Sequence, residues 1–598
     1  MKVFRRLVLF PALIVALVLA GLPYPFSTLH LTAQSAGDIP AALTVLNLAP
    51  AGLSAAPQLS ALELQAIRDR ILQIHNRMAA QERQASDGPG GIPRVAGPET
   101  VVRRTGSVTP PAAPQAPAVR SLPGAASGLL TQSFVGVENQ IDFGRDHRDP
   151  FASDTGGCGA PSDVAELVGA SNGLAAFAAG NCSHVEASQT GGATWDPNLV
   201  TPGPPPTTTV CCDHDVIYDD STRVVFHTDL YTNGSGTQTA IGIDVYRFMW
   251  NQSMPSCTYF IGPFAGMLDF PHVGLTKSAL FISINFVTGP TTQSAVMLRY
   301  PKTAVANCTA GVTAQQFLWP STNDGQRVWV PSKGTNNKHT MLWAHRIDNY
   351  TLRIFKWDDS LSAPNNFIRP ISFTSSAAPD ATHCGGGLNN TGYITATQTS
   401  LVGFNFVGAV TDDKVYFYWQ AGPAAAPMTL PHIDGAVFGL QGTADVPFLY
   451  SQTPLAQPHI YSTAYCIGYP AVTANKLGDI GMVLAFGGKA GGGGLPVRPA
   501  VGVSDEFSPG TGQFGPSDLA AVPSSLDSST GAERNPAADD RYGDYLSTQP
   551  EEPCEKFFVG TGYFIDITGA VNQRVFEFGR HKNRRCYDDF ATFFGTTE

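Results

Sequence analysis

From about Gln132 onward, runs of apolar residues return along the chain at roughly 45–75-residue intervals, the spacing of a repeated structural unit. Each unit opens on a strand of mixed polarity, turns, and continues in a more uniformly apolar strand. The leading strands are "DVAELVGA", "DHDVIYD", "FPHVGLT", "RVWVPSKG", "LVGFNFVGAV", "YPAVTA" and "RYGDYLST". Their apolar followers are "GLAAFAAG", "RVVFHTDLY", "ALFISINFV", "HTMLWAHRI", "DKVYFYWQAG", "IGMVLAFGG" and "KFFVGTGYF". Seven such units predict an all-β fold, a seven-bladed β-propeller over residues 131–598, in which each four-stranded blade buries its faces against its neighbours. A pair of β-sandwiches would not repeat the leading motif.

Upstream the pattern changes twice. Between Ser60 and Gln84, Leu64, Ile67, Ile71, Ile74 and Met78 recur at steps of three and four, which predicts an amphipathic helix over 60–84 within an N-terminal segment of 34–84. Its apolar seam packs on its own protein or mediates association with a partner helix. Residues 85–130, with "GPGGIPRVAGP" and "TPPAAPQAPAVRSLPG", read as a disordered Pro/Ala/Gly-rich linker. Residues 1–33 read as a signal peptide, with Lys2, Arg5 and Arg6 ahead of the apolar run Leu7 to Ala20. Small residues around Ala20 and Ala33 both offer cleavage sites, and an uncleaved anchor is the alternative. A secreted or cell-surface location follows.

Composition agrees with short strands and many turns: 61 Gly and 46 Pro, against only 14% charged residues. A net charge of −11 leaves no basic field for a polyanion, so nucleic acid is excluded as a partner class. Ten cysteines in an exported chain imply disulfides rather than a zinc site, since no Cys-x-x-Cys occurs. Proximity in sequence suggests Cys158/Cys182, Cys257/Cys308 and Cys554/Cys586 as local pairs. The adjacent Cys211 and Cys212 would anchor a loop, as a vicinal disulfide or through two separate bonds.

One string marks a superfamily. "SQTGGATW", Ser188 to Trp195, is similar to the Asp-box of sialidases and related propellers, with Thr190 at the usual Asp position. That motif ties down a hairpin between outer strands and is structural. Together with "CCDHDVIYDDSTRVVF", "DFPHVGLTKSALFISINF", "YPAVTANKLGDIGMVLAFGG" and "RYGDYLST", it gives residues 130–590 a resemblance to secreted, largely uncharacterised bacterial propellers of the sialidase-like superfamily. The resemblance implies recognition or processing of extracellular carbohydrate. It does not extend to sialidase activity, because Arg-Ile-Pro is missing and, with Arg541 as the arginine at the channel mouth, the three arginines that sialidases use are not found there.

In a propeller the leading strands converge on one mouth of the central channel. Reading those places in turn gives a polar ring: Asp213, His214, Asp215, Asp269, His272, Asp380, His383, Tyr465, Tyr469, Arg541, Asp544 and Tyr545. Asp213, His214, Asp269, His272, Asp544 and Tyr545 are the catalytic candidates, and Arg541, His383 and Tyr469 the substrate-binding ones. Paired carboxylates would serve glycoside hydrolysis. A His/Tyr pair removing the proton beside a uronate carboxylate neutralised by Arg541 would serve a polysaccharide lyase. Asp213, His214, Asp269 and His272 are also ligand types that a divalent cation such as calcium would take. Against these readings stands a structural one, in which Asp213 and His214 hydrogen-bond the ends of adjacent inner strands and close the ring. The alternative function is a non-catalytic extracellular propeller that binds a glycan or a surface protein.

Three further features carry no chemistry of their own. "GGKAGGGGLP" lacks the Lys-Ser/Thr of a phosphate loop and reads as a connection between strands. Asn-x-Ser/Thr sequons are short enough to arise by chance. "WAHRIDNYTLRIFKW" reads as aromatic packing between blades rather than a sugar platform.

Overall fold

The computed structural model describes residues 47–48, 141–148, 162–169, 173–180, 184–188, 208–233, 237–247, 255–287, 293–324, 328–348, 350–371, 406–423, 428–443, 446–462, 466–487, 498–504, 519–521, 533–534, 546–551, 555–566 and 571–580. The helix expected at 60–84, the linker, the signal segment and the Asp-box from Gln189 lie outside the described residues.

Within them the chain is almost entirely antiparallel β-sheet, laid down in sequence order. Sheet I holds Ser162–Gly169, Gly173–Gly180 and His184–Ser188. Sheet II holds Thr209–Asp219, Val224–Thr232, Gln238–Arg247 and Cys257–Ala265. Sheet III holds Met267–Leu275, Ala279–Val287, Gln293–Pro301 and Gln315–Pro320. Sheet IV holds Thr340–Asp348, Thr351–Asp358 and Asn365–Pro370. Sheet V holds Val407–Val410, Lys414–Ala421, His432–Gly442 and, on that third strand, Pro447–Leu449 and His459–Ile460. Sheet VI holds Cys466–Ala474, Ile480–Gly487, Arg498–Val503 and Leu519–Ala521. Sheet VII is made from both ends of the fold: Ser547–Pro550, Phe558–Asp566 and Val571–Arg580 are joined by Ile141–Arg148, which pairs with Val571–Arg580.

The first strand of each sheet touches the first strand of the next, from Ser162–Gly169 through Thr209–Asp219 to Met267–Leu275, and from Val407–Val410 through Cys466–Ala474 and Ser547–Pro550 back to Ser162–Gly169. Between sheets III and V the ring runs through Val328–Lys333, which is not a ladder strand. It meets sheet V by a bridge between Lys333 and Ala409, and sheet IV through the Ser332 N–H, which donates to the Leu342 carbonyl. Pro331 lies within it and brings no N–H to a ladder. Its ring presses on sheet III so closely that a Cβ at Gly274 would lie 2.4 Å from Pro331 Cβ, which is why glycine stands there. The result is a propeller-like ring.

The apolar cores lie between sheets. Val216, Tyr218 and Tyr246 of sheet II meet Phe177 and Val185 of sheet I. Ile241, Ile243 and Tyr259 of sheet II meet Leu280, Ile282 and Leu298 of sheet III. Further clusters fill the III–IV, IV–V and V–VI junctions. A sheet packed on both faces has no solvent side, so strands such as Val224–Thr232 and Ile480–Gly487 are buried at every position. The same packing buries Trp343, Phe355 and Trp357 of "WAHRIDNYTLRIFKW", as expected.

Cys257 and Cys308 form a disulfide with a Cα–Cα distance of 5.8 Å, as their spacing suggested; it ties the last strand of sheet II to the turn after a short helix, Lys302–Ala306, of sheet III. Cys466 is also disulfide-bonded. Cys158, Cys182, Cys554 and Cys586 lie outside the described residues.

Candidate functional site at the central channel

The inner strands carry a recurring irregularity. Asp213, Phe270 and Tyr469 have φ of 31°, 51° and 52°, in the left-handed region that non-glycine residues avoid, and the ladder slips around each of them. Phe270 and Tyr469 precede prolines, which makes the conformation still less favourable. Such strain, on the order of 1–3 kcal/mol per residue, persists only where surrounding contacts fix it.

Those contacts are side-chain hooks. An innermost strand has one edge without a ladder partner, so its N–H and C=O groups need other partners. The Phe270 N–H donates to Asp213 Oδ2 at 3.3 Å and the Val273 N–H to Asp215 Oδ2 at 2.7 Å, so sheet II's carboxylates cap sheet III's backbone. The Tyr469 N–H donates to Gln420 Oε1 at 3.0 Å. Gln549 of sheet VII donates to the Val216 carbonyl at 2.7 Å and accepts from the Tyr218 N–H. Asp213 thus makes the ring-closing bond of the structural reading.

The inner strands surround a pocket lined by Asp215, His272, Val330, Pro331, Lys333 and neighbouring residues of sheets V, VI and VII. Its ionisable group is a triad. Asp215 Oδ2 lies 3.4 Å from His272 Nδ1 and 3.8 Å from Lys333 Nζ. Lys333 also donates to the Val273 carbonyl at 2.9 Å. Asp215 Oδ1 accepts from the Val216 N–H at 2.8 Å. Burial opposes ionisation of Asp215, but the Lys333 ammonium, His272 and the Val273 N–H outweigh it and hold its carboxyl below the usual range. An anionic Asp215 bound to Nδ1–H leaves Nε2 as the basic nitrogen of His272. The arrangement offers an oriented imidazole beside a cation.

The other expected site residues are placed differently. His214 is buried toward sheet I, where it meets the Ala179 backbone and the His227 ring, 6.2 Å away between centroids. Burial, followed by the charge on His227, drives its pKa down to about 3, so it is a neutral packing group at ordinary pH. Asp269 is 1% exposed and faces Asn285 across the ladder, and Tyr469 is fully buried; neither lines the cavity. Asp544, Tyr545, Arg541 and His383 lie outside the described residues, as do Asp380 and Tyr465. Lys333 was missed from sequence. Its signal was the proline in "VPSK", two residues before Lys333, where Pro271 stands one residue before His272.

No protein-family model matches the chain, and no curated protein matches it. Solved structures do. A subtype N10 neuraminidase-like protein of A/little yellow-shouldered bat/Guatemala/060/2010 is 11% identical, with 57% of this chain and 95% of that chain covered and a TM-score of 0.31. An alpha-L-arabinanase of Penicillium chrysogenum is 10% identical, covering 51% of this chain and 92% of its own, at a TM-score of 0.25. The polysaccharide lyase Uly1 is 9% identical, covering 68% and 88%, at 0.31.

Two more clusters of His and Asp occur among the described residues, neither on an innermost strand. In sheet II, His227 Nδ1 lies 3.3 Å from Asp244 Oδ2, and its Nε2 lies 3.5 Å from Asp229 Oδ1. Burial opposes a charge on His227, but Asp229 and Asp244 outweigh it and raise its pKa. In sheet V, His432, Asp434 and His459 converge.

Proposed function

We propose that this chain is an exported seven-bladed β-propeller that recognises or processes extracellular carbohydrate in its central channel. The observation that carries this reading is the Asp215–His272–Lys333 triad in a pocket formed by inner strands far apart in sequence. Seven sheets of three or more strands among the described residues support the blade number.

Of the two chemistries considered, the described lining favours the lyase type. Asp215 is its one carboxylate and is already engaged by two N–H groups, whereas glycoside hydrolysis needs a pair. In the lyase reading, Lys333 neutralises the uronate carboxylate. His272 Nε2 takes the C5 proton, the C4–O bond breaks, a C4–C5 double bond forms, and the proton passes to the departing glycosyl oxygen. Asp213, His214, Asp269 and Tyr469 then act on the fold of the ring. Asp544, Tyr545, Arg541 and His383 stay in the proposal as further channel-mouth groups.

The test is incubation of the full chain with acidic and neutral polysaccharides, following unsaturated products and new reducing ends, beside His272→Ala and Lys333→Ala proteins of matched circular dichroism. Unsaturated products that disappear with His272→Ala support the lyase reading. Reducing ends without unsaturation point to hydrolysis instead. Glycan binding without turnover, weakened by Lys333→Ala, supports the non-catalytic propeller.

A further inference from the structure

We propose that His432, Asp434 and His459 form a binding site for a divalent transition metal of the zinc class, on the outer part of sheet V and separate from the channel triad. Local sequence assembles it. His432 and Asp434 are two apart on one strand and so project to one face, and Asp434 pairs across the ladder with His459. The same tripeptide, Pro-His-Ile, opens both segments, at Pro431 and at Pro458, and Ile433 faces Ile460.

Geometry supplies the independent reason. His432 Nδ1 lies 3.0 Å from the Leu430 carbonyl, which can only accept, so Nδ1 carries the proton and the lone pair of the neutral ring is on Nε2. That Nε2 is 3.1 Å from Asp434 Oδ1, yet the two are not aligned as a hydrogen bond. Asp434 Oδ2 is buried with no hydrogen-bond partner, and His459 Nδ1 lies 2.5 Å from Oδ1. An imidazole lone pair and a carboxylate buried side by side repel one another unless something positive lies between them. A metal ion resolves the conflict. An imidazole fixed by its other nitrogen on a backbone carbonyl is the usual arrangement of a metal-bound histidine.

The donor set selects the metal. Two nitrogens and one carboxylate suit zinc and its neighbours, whereas calcium takes oxygens. His432 and Asp434 are fully buried while the His459 side chain is 31% exposed, so the metal has a route in and a further ligand position on the His459 side. The sealed cluster His227, Asp229 and Asp244 lacks such a route, all three being at most 1% exposed. Bound metal would fasten the short His459–Ile460 strand to the sheet. Gln420 donates to the His432 carbonyl at 3.1 Å and accepts from the Tyr469 N–H, which connects this site to the inner ring.

The experiment dialyses the full chain against chelator, then titrates it with Zn²⁺ and Co²⁺, following metal per chain, the visible Co²⁺ spectrum and Tm. One equivalent should bind with a ligand-field band and a raised Tm, and Asp434→Asn and His432→Ala should each lose that equivalent while His339→Ala keeps it. Zn²⁺ should also protect His459 from carbethoxylation in the unmutated chain, a readout that holds if a variant fails to fold. No stoichiometric binding, binding unchanged in folded Asp434→Asn, or modification of His459 unaffected by Zn²⁺ would each overturn the proposal.

Discussion

Sheet III is joined to its two neighbours in different ways. Toward sheet II the junction is aliphatic, and directed bonds supplement it: the Asp213 and Asp215 hooks, the Cys257–Cys308 disulfide, and a buried ion pair in which Lys302 Nζ lies 2.8 Å from Asp219 Oδ1. Toward sheet IV it is an aromatic wedge in which Trp319, Trp329, Trp343 and Trp357 pack with Phe281, Phe317 and Phe355. Directed bonds cross it as well, Arg299 donating to the Asp358 carbonyl at 2.8 Å and Thr276 to Asp359 Oδ1 at 3.0 Å, and a relay runs through its centre. Trp329 donates to His345 Nδ1 at 2.9 Å, His345 Nε2 meets Asp324 at 3.0 Å, and Arg353 clamps the same carboxylate at 2.6 Å. Burial alone would raise the pKa of Asp324, but His345 and Arg353 hold it well below the usual range. The wedge works through buried area, which tolerates small shifts. The hooks fix atoms to within a hydrogen bond, and they lie where the channel residues must be aimed.

Breaking each junction should reveal that difference. Trp343→Ala, which empties the centre of the wedge, should cost up to about 5 kcal/mol in urea unfolding, while leaving any glycan binding of the surviving folded protein unchanged. Replacing both Cys257 and Cys308 by serine reopens a 51-residue separation and should cost about 4 kcal/mol, read as a lowered Tm. Asp215→Ala strands the Val273 N–H and loosens His272 and should cost about 2 kcal/mol. Unlike the wedge variant, it should abolish channel binding or turnover.

The smallest effect is one of pH. His214 has a folded pKa of about 3 against an ordinary 6.5, so the unfolded chain binds the proton first. Its contribution is complete above 6.5 and is lost as pH falls from there toward the folded value. Over the first pH unit below that, the loss should be about 1 kcal/mol. His214→Gln should flatten this part of the profile, with Asp215, His227 and His272 still facing the position. An unchanged slope would mean that His214 does not sit neutral in the I–II junction.

The strands were legible because each needs a run of apolar or β-branched residues whatever its neighbours, as "ALFISINFV" and "IGMVLAFGG" show. The leading strand of sheet IV was not, because "RVWVP" has the apolar pattern of a strand although Val328–Lys333 joins no ladder. The closing strand Ile141–Arg148 was missed because its partner lies at the other end of the fold. At the site, residue type was readable and direction was not. Asp213, His214 and Asp215 are consecutive, and a slip of the ladder around Asp213 decides which faces the channel. The outer cluster went unremarked although Pro-His-Ile occurs twice, because only the pairing of Asp434 with His459 brings the two copies together.

The pairing of Ile141 with Arg580 also sets a schedule. A chain emerging from its N-terminus carries that strand without its partner until nearly the whole sequence has appeared, and six sheets can form while the seventh waits. The closing contact is among the most distant in sequence that the molecule makes, so its loop-closure entropy is met last and makes completion slow. Until then Ile141–Arg148 is an unpaired edge, open to the C-terminal strand of another copy as much as to its own. Fidelity in making this protein therefore rests on a late handshake in which sheet VII takes up Ile141–Arg148 and meets sheets I and II.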